Sequence, residues 1–561
     1  MRLLAALLLF CSPLTAQVYP KDYFRPPLDI PLQLSGNFGE LRSNHFHAGL
    51  DFRTQQKEGF NIYAAGEGYV SRIKISSYGY GKAIYITHPN GFTTVYGHLQ
   101  KGYGAIERYI KEAQYKAQSY EIEVFPTPTE LPVKKGEVVA ISGNTGGSEG
   151  PHLHFEIRDT QTEKIINPMF FGFDIALPDT RRPAITSIVA YPLDSKSSVN
   201  KSTVPIALSL SQQGDGNYLA EKVSATGRIG FGFSGYDMDS NSANRNGIYE
   251  ADGYLNGTHS FGCRFDIYHF DETRYINALI DYPRFKSTGQ RIQKMFMLNK
   301  YPLGLLHPDE NNGIITMAPN FSGNYRLELA DYKGNKSSVN IPLAWSPEPV
   351  AEPVVASTPY YIDHTKDYNF EKDNVSVFFP ANTFYDPFYL DFDYSDGVLS
   401  LKNKHVPVHQ NYTITFNGVP EKDIEKTFIA TMNGKKPAFN FTSRKGNQLQ
   451  TKVKVMGQFA LARDTVAPVI TMPKPVTGKW ITSQKTLSLQ IRDNMSGIKE
   501  YKGYMNGKFI LFEFEYKTAR ITHNFDDGVF DDGRNELKVI VTDNVGNSAI
   551  FETHFFKSKT K

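Results

Sequence analysis

Short runs that alternate apolar and polar residues, or favour β-branched ones, recur along most of the chain, each closed by Gly, Asn or Pro. GEGYVSRIKIS, KAIYITH, FTTVYGHL, GEVVAISG and HLHFEIRD are examples between about Gln33 and Ile175. A period of two sends successive side chains to opposite faces of a strand, a pattern that no helix satisfies. One stretch breaks the rule. In GAIERYIKEAQYKAQSY, the residues Ile106, Tyr109, Ile110, Ala113 and Ala117 fall at helical spacing, which predicts an amphipathic helix inserted at about residues 103–121. FPTPTELPV ends it before strands resume. The 39 Phe and 33 Tyr agree with a β-rich chain, because aromatic side chains fit a pleated surface.

The rest of the chain contains an internal duplication. DTRRPAI (179–185) recurs as DTVAPVI (464–470), and GIYEADGYLNG (247–257) recurs at the same length as GIKEYKGYMNG (497–507). LELADYKGN (327–335) matches VIVTDNVGN (539–547) as an alternating strand followed by Asp-x-x-Gly-Asn. Matches in the same order mark two copies of one module, and their spacing of strands and turns predicts immunoglobulin-like β-sandwiches. The first copy is longer and carries insertions, including the stretch around residues 268–312. A Pro-rich linker, SPEPVAEPVVASTP (346–359), is expected to be stiff and extended. Beyond it NVSVFF, NYTITF and QTKVKVMG alternate again and predict a further sandwich of different sequence type. Along these modules no His, Cys or acidic residues cluster as metal ligands. Their Asp-rich turns, DMDSNSANRNG and DDGVFDDG, lack the spacing of a loop that wraps calcium and read as turn formers.

The N-terminus, MRLLAALLLFCSPLTAQ, has one basic residue, then an apolar run from Leu3 to Cys11, then Ser-Pro and small residues. This is the layout of a secretory signal peptide, with cleavage expected after Ala16. The run is too short to span a bilayer, which needs about 20 apolar residues. No later stretch approaches that length, so the mature chain is expected to be soluble and periplasmic, in the cell envelope or extracellular. Once Cys11 leaves with the signal, Cys263 has no partner for an internal disulfide, and its neighbours Phe261 and Phe265 make it a core thiol. Lys+Arg 61 against Asp+Glu 58 gives a formal charge of +3, which argues against nucleic acid as a partner.

The expected organisation is therefore all-β and multidomain. It comprises a signal peptide (1–16), a first domain (17–175), a first sandwich copy (176–346), a different sandwich (347–462) and a second copy (463–561).

Chemistry concentrates in the first domain. HFHAGLDF places His47 and Asp51 four apart around Gly49, VYGHL ends a β run on His98, and GPHLHFEI carries His152 and His154 two apart on one face of a strand. Imidazole and carboxylate suit a catalytic zinc site, which keeps three protein ligands and one open position.

Together with AAGEGYV, YGYGKAIYITHPNGFTTVYGHL and NTGGSEGP, these motifs resemble the lysostaphin-type (LytM-like) zinc metallopeptidases that cut peptidoglycan cross-links. The resemblance covers about residues 35–170. It implies the family's β-sheet peptidase fold and one Zn2+ per chain on His47, Asp51 and His154. It also implies two catalytic histidines that do not bind the metal, His98 and His152; spacing does not decide which is the base. The chain departs from the family pattern by the helical insert between YGHL and VKKGEVVA.

The function implied is that of an exported zinc metalloendopeptidase hydrolysing peptidoglycan stems or cross-links, whether at a Gly-Gly bridge or a D-amino-acid cross-link. The alternative is a non-catalytic peptidoglycan-binding or hydrolase-activating envelope protein. Relatives of that kind have lost metal ligands, whereas all of them stand here. A third reading makes the sandwiches an adhesin or scaffold that docks envelope partners. Around the motifs, His45 is expected in a supporting role, with Arg42 and Asn44 in reach of substrate or Asp51. His88, before the Pro89-Asn90-Gly91 turn, is expected to be exposed, and Tyr96 to sit in the core or line the cleft.

Overall fold

A computed structural model describes residues 19–347 and 357–559; the expected signal peptide and most of the Pro-rich linker lie outside the described residues. The protein is built mainly of antiparallel β-sheet. The principal sheet of the first domain runs, in spatial order, Leu34–Gly36, Leu50–Arg53, His152–Asp159, Phe92–Gly97, Lys82–Thr87, Gly68–Ile75 and Ile122–Val124.

Its functional centre is the strand His152–Asp159. Along it Leu153, Phe155 and Ile157 are fully buried on one face, an anchorage of about 1.5–3 kcal/mol for each large side chain. The same alternation turns His152, His154, Glu156 and Arg158 to the other face. Register places His154 opposite Asp51 on one neighbour and opposite Gly97 on the other. The HAGLD and YGHL motifs are thus brought beside the HLH motif by sheet pairing.

A small sheet of Asn61–Tyr63, Val138–Ser142 and Leu99–Gly102 completes the domain. The interrupting helix spans Gly104–Ala117 and buries Ile106 and Ile110. It ends where Gln118 adopts a left-handed conformation (φ 47°).

The first core continues beyond residue 175. Ile165–Ile166 pairs with Ile267–Tyr268, and Phe265, Tyr268, Ile276, Leu279, Leu303 and Leu305 join the same apolar cluster. Much of the stretch read as an insertion in the next module therefore packs on the first domain. Cys263 is a free, buried thiol in this cluster; burial, and then the charge of Asp252, push its pKa up.

Further along, Ala184–Pro192, Val223–Tyr236, Ser322–Ala330 and Lys336–Trp345 belong to a large mixed sheet around a second core. Two five-stranded sheets enclose a third core, and two four-stranded sheets a fourth. The last of these folds back onto the first domain. Leu511 enters the first core, Glu513 pairs with Lys82 at 2.6 Å and Lys111 at 3.2 Å, and the Tyr115 hydroxyl donates to Asp527 at 2.8 Å.

One expectation from sequence is overturned here. Acidic residues do cluster in the duplicated modules, as Asp179, Asp237 and Asp331, and as Asp464, Asp493 and Asp543. They come from separate turns that only folding brings together. Among the described residues no helix is long and apolar enough to cross a membrane.

Candidate metal centre

Three ligand atoms converge at the end of the central strand. His47 Nε2 lies 3.0 Å from Asp51 Oδ1 and 3.1 Å from His154 Nδ1, and the latter two are 2.9 Å apart. All three side chains are buried. Gly49 makes the approach possible: a Cβ there would stand 2.2 Å from the Phe155 carbonyl oxygen, so only glycine lets the HAGLD segment lie against the central strand.

Hydrogen bonds on the outer side orient each ligand. His47 Nδ1 is 2.7 Å from the Asn37 carbonyl; a carbonyl can only accept, so Nδ1 carries the proton and Nε2 turns a lone pair inward. His154 Nε2 donates to Glu156 Oε1 at 2.8 Å, which leaves Nδ1 facing the centre. Glu156 is held in turn by Arg158 Nε at 2.7 Å and by the Tyr80 hydroxyl. Burial raises the pKa of Glu156, and the charges of Arg158 and His154 more than offset this, holding it at about 2. Arg42 donates to Asp51 Oδ2 at 2.9 Å.

Three electron-rich atoms at such separations repel unless a proton or cation sits between them. The electrostatics register that demand. Burial opposes charge on Asp51, but the charge of His47 and the close side-chain contacts with His152, His154 and His47 hold its carboxyl well below the usual range. Burial likewise opposes a charge on His154, yet its bonds to Asp51 and Glu156 raise it to about 9. Tetrahedral zinc with bonds of about 2.0–2.1 Å has ligand–ligand edges of roughly 3.3 Å, so this donor set fits the ion in chemistry and size.

His98 and His152 flank the cluster with their rings 4.7 Å apart. His98 holds a left-handed backbone (φ 57°), with its N–H on the Tyr80 carbonyl at 2.9 Å and Nδ1 on the Thr145 carbonyl at 2.8 Å. His152 Nδ1 meets the Gly150 carbonyl at 2.8 Å, and its Nε2 is 3.5 Å from Asp51 Oδ1. Both rings therefore carry the proton on Nδ1 and leave Nε2 as a base. Burial, followed by the charges of His152 and His154, lowers His98 to about 3, so it is neutral at neutral pH.

The cluster opens into a groove of about 1060 Å³, walled by Arg42, His45, Tyr80, the loop Gly147–Pro151, Phe270 and Thr273. Phe270 belongs to the stretch that the next module contributes. The helix Gly104–Ala117 is not among the lining residues.

Of the neighbouring residues read from sequence, Arg42 reaches Asp51, while Asn44 is exposed and makes no side-chain hydrogen bond among the described residues. His45, expected in a supporting role, stands at the groove rim and makes no side-chain hydrogen bond among the described residues. His88 is buried, not exposed, because its ring bonds the Glu67 carbonyl at 2.7 Å and Thr94 Oγ1 at 2.8 Å and packs edge-on to Phe24. Tyr96 is core, its hydroxyl accepting from Ala65 N–H. Sequence reasoning passed over Glu156, Arg158, Tyr80, Asn37 and Phe270. The first two were detectable, since they continue the period-two face of His152 and His154; the others carry no local signal.

Residues 45–122 and 127–168 match the profile of Peptidase family M23, and residues 359–464 match a Zu5-like domain. The chain is 30% identical over 166 residues to an uncharacterized metalloprotease of Haemophilus influenzae, a match covering 28% of each protein. It is 33% identical over 118 residues to the DD-carboxypeptidase/endopeptidase Mpg of Neisseria meningitidis, covering 21% of each. With the peptidoglycan DD-endopeptidase ShyC of Vibrio cholerae it shares 30% identity over 142 residues, 24% of this chain and 27% of that one. The similarity thus spans between 21% and 28% of these relatives' length. Among solved structures, a zinc-containing peptidase from Vibrio cholerae aligns at 27% identity and a TM-score of 0.18, covering 25% of this chain and 36% of that one. The catalytic domain of lysostaphin from Staphylococcus simulans aligns at 24% identity and 0.18, covering 24% and 89%.

Proposed function

We propose that the peptidase family M23 domain of this chain makes it an exported zinc metalloendopeptidase that hydrolyses peptide bonds in peptidoglycan. One observation carries the reading: the convergence of His47 Nε2, Asp51 Oδ1 and His154 Nδ1, with both histidines turned inward by outer hydrogen bonds. These residues would hold the ion, which when bound supplies a Lewis acid for the amide carbonyl and a water whose pKa falls towards about 7.

The protein's own groups do the rest. Nε2 of His98 or His152 takes the proton from the attacking water. The imidazolium so formed then donates to the tetrahedral oxyanion and returns the same proton to the leaving amine, while the other ring stays neutral. Asp51 Oδ1 lies 3.5 Å from His152 Nε2, on the side where that ring meets the cluster. The carbonyls of Thr145 and Gly150 keep both rings in the tautomer this proton transfer requires. The groove admits an extended peptide, and the names of the Neisseria and Vibrio relatives support a D-amino-acid cross-link as the bond cut. The other β-sheet modules would position this domain and meet envelope partners.

The test is digestion of purified peptidoglycan by the full chain, with and without chelator and with zinc restored, reading the released peptides by mass spectrometry. Metal-dependent conversion of cross-linked to uncross-linked peptides is expected. Absence of metal-dependent release from every wall type would favour a binding or hydrolase-activating protein instead.

A further inference from the structure

In each duplicated module three aspartates from separate turns place one ligand oxygen apiece within 4.8 Å of the others. Asp179 and Asp464 open the Asp-Thr-x-x-Pro segments, Asp331 and Asp543 open the Asp-x-x-Gly-Asn turns, and Asp237 and Asp493 each precede the Gly-Ile-x-Glu segment. The hydrogen-bond frame repeats as well. Arg181 N–H donates to Asp179 Oδ1 at 2.9 Å, as Val466 N–H does to Asp464 Oδ1 at 3.1 Å. The Asn335 amide donates to Asp331 Oδ2 at 2.6 Å, as that of Asn547 does to Asp543 Oδ2 at 2.7 Å. The same two amides reach the main-chain carbonyls of Asp179 and Asp464 at 3.5 and 3.1 Å.

Turn chemistry explains that frame but not what it encloses. Asp237 is 7% exposed, and its Oδ1 is buried with no hydrogen-bond partner among the described residues. In the second copy Asp493 Oδ1 is orphaned in the same way. So is the hydroxyl of Ser496, a residue 1% exposed whose N–H bonds Asp464 Oδ2 at 3.0 Å. None of the six carboxylates is ion-paired to Lys or Arg among the described residues. Lys333, which lines the cavity of about 40 Å³ at the first cluster, is engaged by Asp174 at 3.2 Å. Buried like charges with unfilled acceptors are costly, and a divalent cation removes both costs at once. The donors are all oxygen, with neither His nor Cys, which selects a hard cation over zinc. Carboxylates able to bind through one or two oxygens, with main-chain carbonyls nearby, suit calcium's flexible shell better than the strict octahedron of magnesium.

We propose that Asp179, Asp237 and Asp331 bind one calcium ion and that Asp464, Asp493 and Asp543 bind a second, both apart from the zinc centre. The first site lies on the loop that braces that centre: Gly247 N–H donates to Asn37 Oδ1 and the Asn37 amide to the Gly247 carbonyl, each at 2.8 Å. The carbonyl of Asn37 is the partner that orients His47.

The full chain, stripped with chelator and resupplied with one equivalent of zinc, can be titrated with Ca2+ by calorimetry. Two saturable sites are expected in the wild type, one in D237N, one in D493N and none in the double variant, with zinc content unchanged. A calorimetric titration showing no saturable Ca2+ binding to the wild type, or two sites surviving in the double variant, overturns the proposal. A melting experiment guards against misfolding. Without calcium, D237N should melt no lower than wild type, because it removes a repelling charge; with calcium, wild type should gain several degrees more than D237N, which keeps only the second site. If D237N melts lower than wild type in calcium-free buffer, Asp237 is a structural residue and the first site is wrong.

Discussion

His154 is held at both ring nitrogens, by the convergent ligand atoms on one side and by Glu156 on the other, whereas His98 touches the cluster only through its ring. Under the proposed chemistry the two separate experimentally. His154→Ala should lose zinc and activity together, while His98→Ala should lose activity and keep zinc; equal zinc loss, measured by metal analysis, would refute this division. Glu156→Gln keeps the shape but weakens the acceptor, so zinc affinity should fall by about 10–100-fold, with activity recovered at high zinc.

His88 supplies a pH test. Burial lowers its pKa from 6.5 to about 4, against a hydrogen bond to Glu67 that raises it. A folded pKa below the unfolded one means the unfolded state binds the proton more readily, so stability is intact above about pH 6.5 and is lost as pH falls towards 4. Between pH 7 and pH 5 this amounts to about 2 kcal/mol. Denaturant unfolding of the full chain at the two pH values should show that loss, and His88→Gln should make the decline shallower by about the same amount. The five residues that the fold gathers around the candidate site were legible as candidates because metal-ligand chemistry restricts side-chain types and a strand's period fixes which of them share a face. Asn37 could not, since it acts through a main-chain carbonyl that any residue would offer.

At the scale of elements, the strand His152–Asp159 does two jobs with one alternation, anchoring in the core through Leu153, Phe155 and Ile157 and presenting chemistry on the opposite face. The inserted helix was legible from its apolar spacing, but its role was not. It stands away from the groove and meets the last module through Tyr115 and Lys111, beside the point where Leu511 enters the first core. That docking joins apolar burial at Leu511 to a carboxylate, Glu513, shared between the buried Lys82 and the partly buried Lys111. Leu511→Ala should therefore destabilise the full chain by about 2–5 kcal/mol, seen as earlier release of the C-terminal module in denaturant. A loss below 1 kcal/mol would mean that the module docks by other contacts.

For the whole molecule, the first core is not self-sufficient. Phe265, Tyr268, Ile276, Leu279, Leu303 and Leu305 fill it from the second module, and the Tyr268 hydroxyl bonds the carbonyl of His47 at 2.6 Å. A fragment ending at residue 175 exposes the apolar surface they cover and should aggregate or melt without cooperativity, whereas the full chain stays monodisperse; size-exclusion chromatography and circular dichroism distinguish the outcomes. By itself the sequence determined the β-rich class, the duplication, the helix and the residue types that gather at the candidate site. Each of these is written in periodicity, turn chemistry or ligand chemistry over a few neighbouring residues. Only the tertiary structure decided which module completes the first core, that Phe270 walls the groove, that Asn37 aims His47, and that aspartates from three distant turns meet in each repeat. Those meetings depend on how twisted sheets pack across hundreds of residues, and no local pattern encodes that.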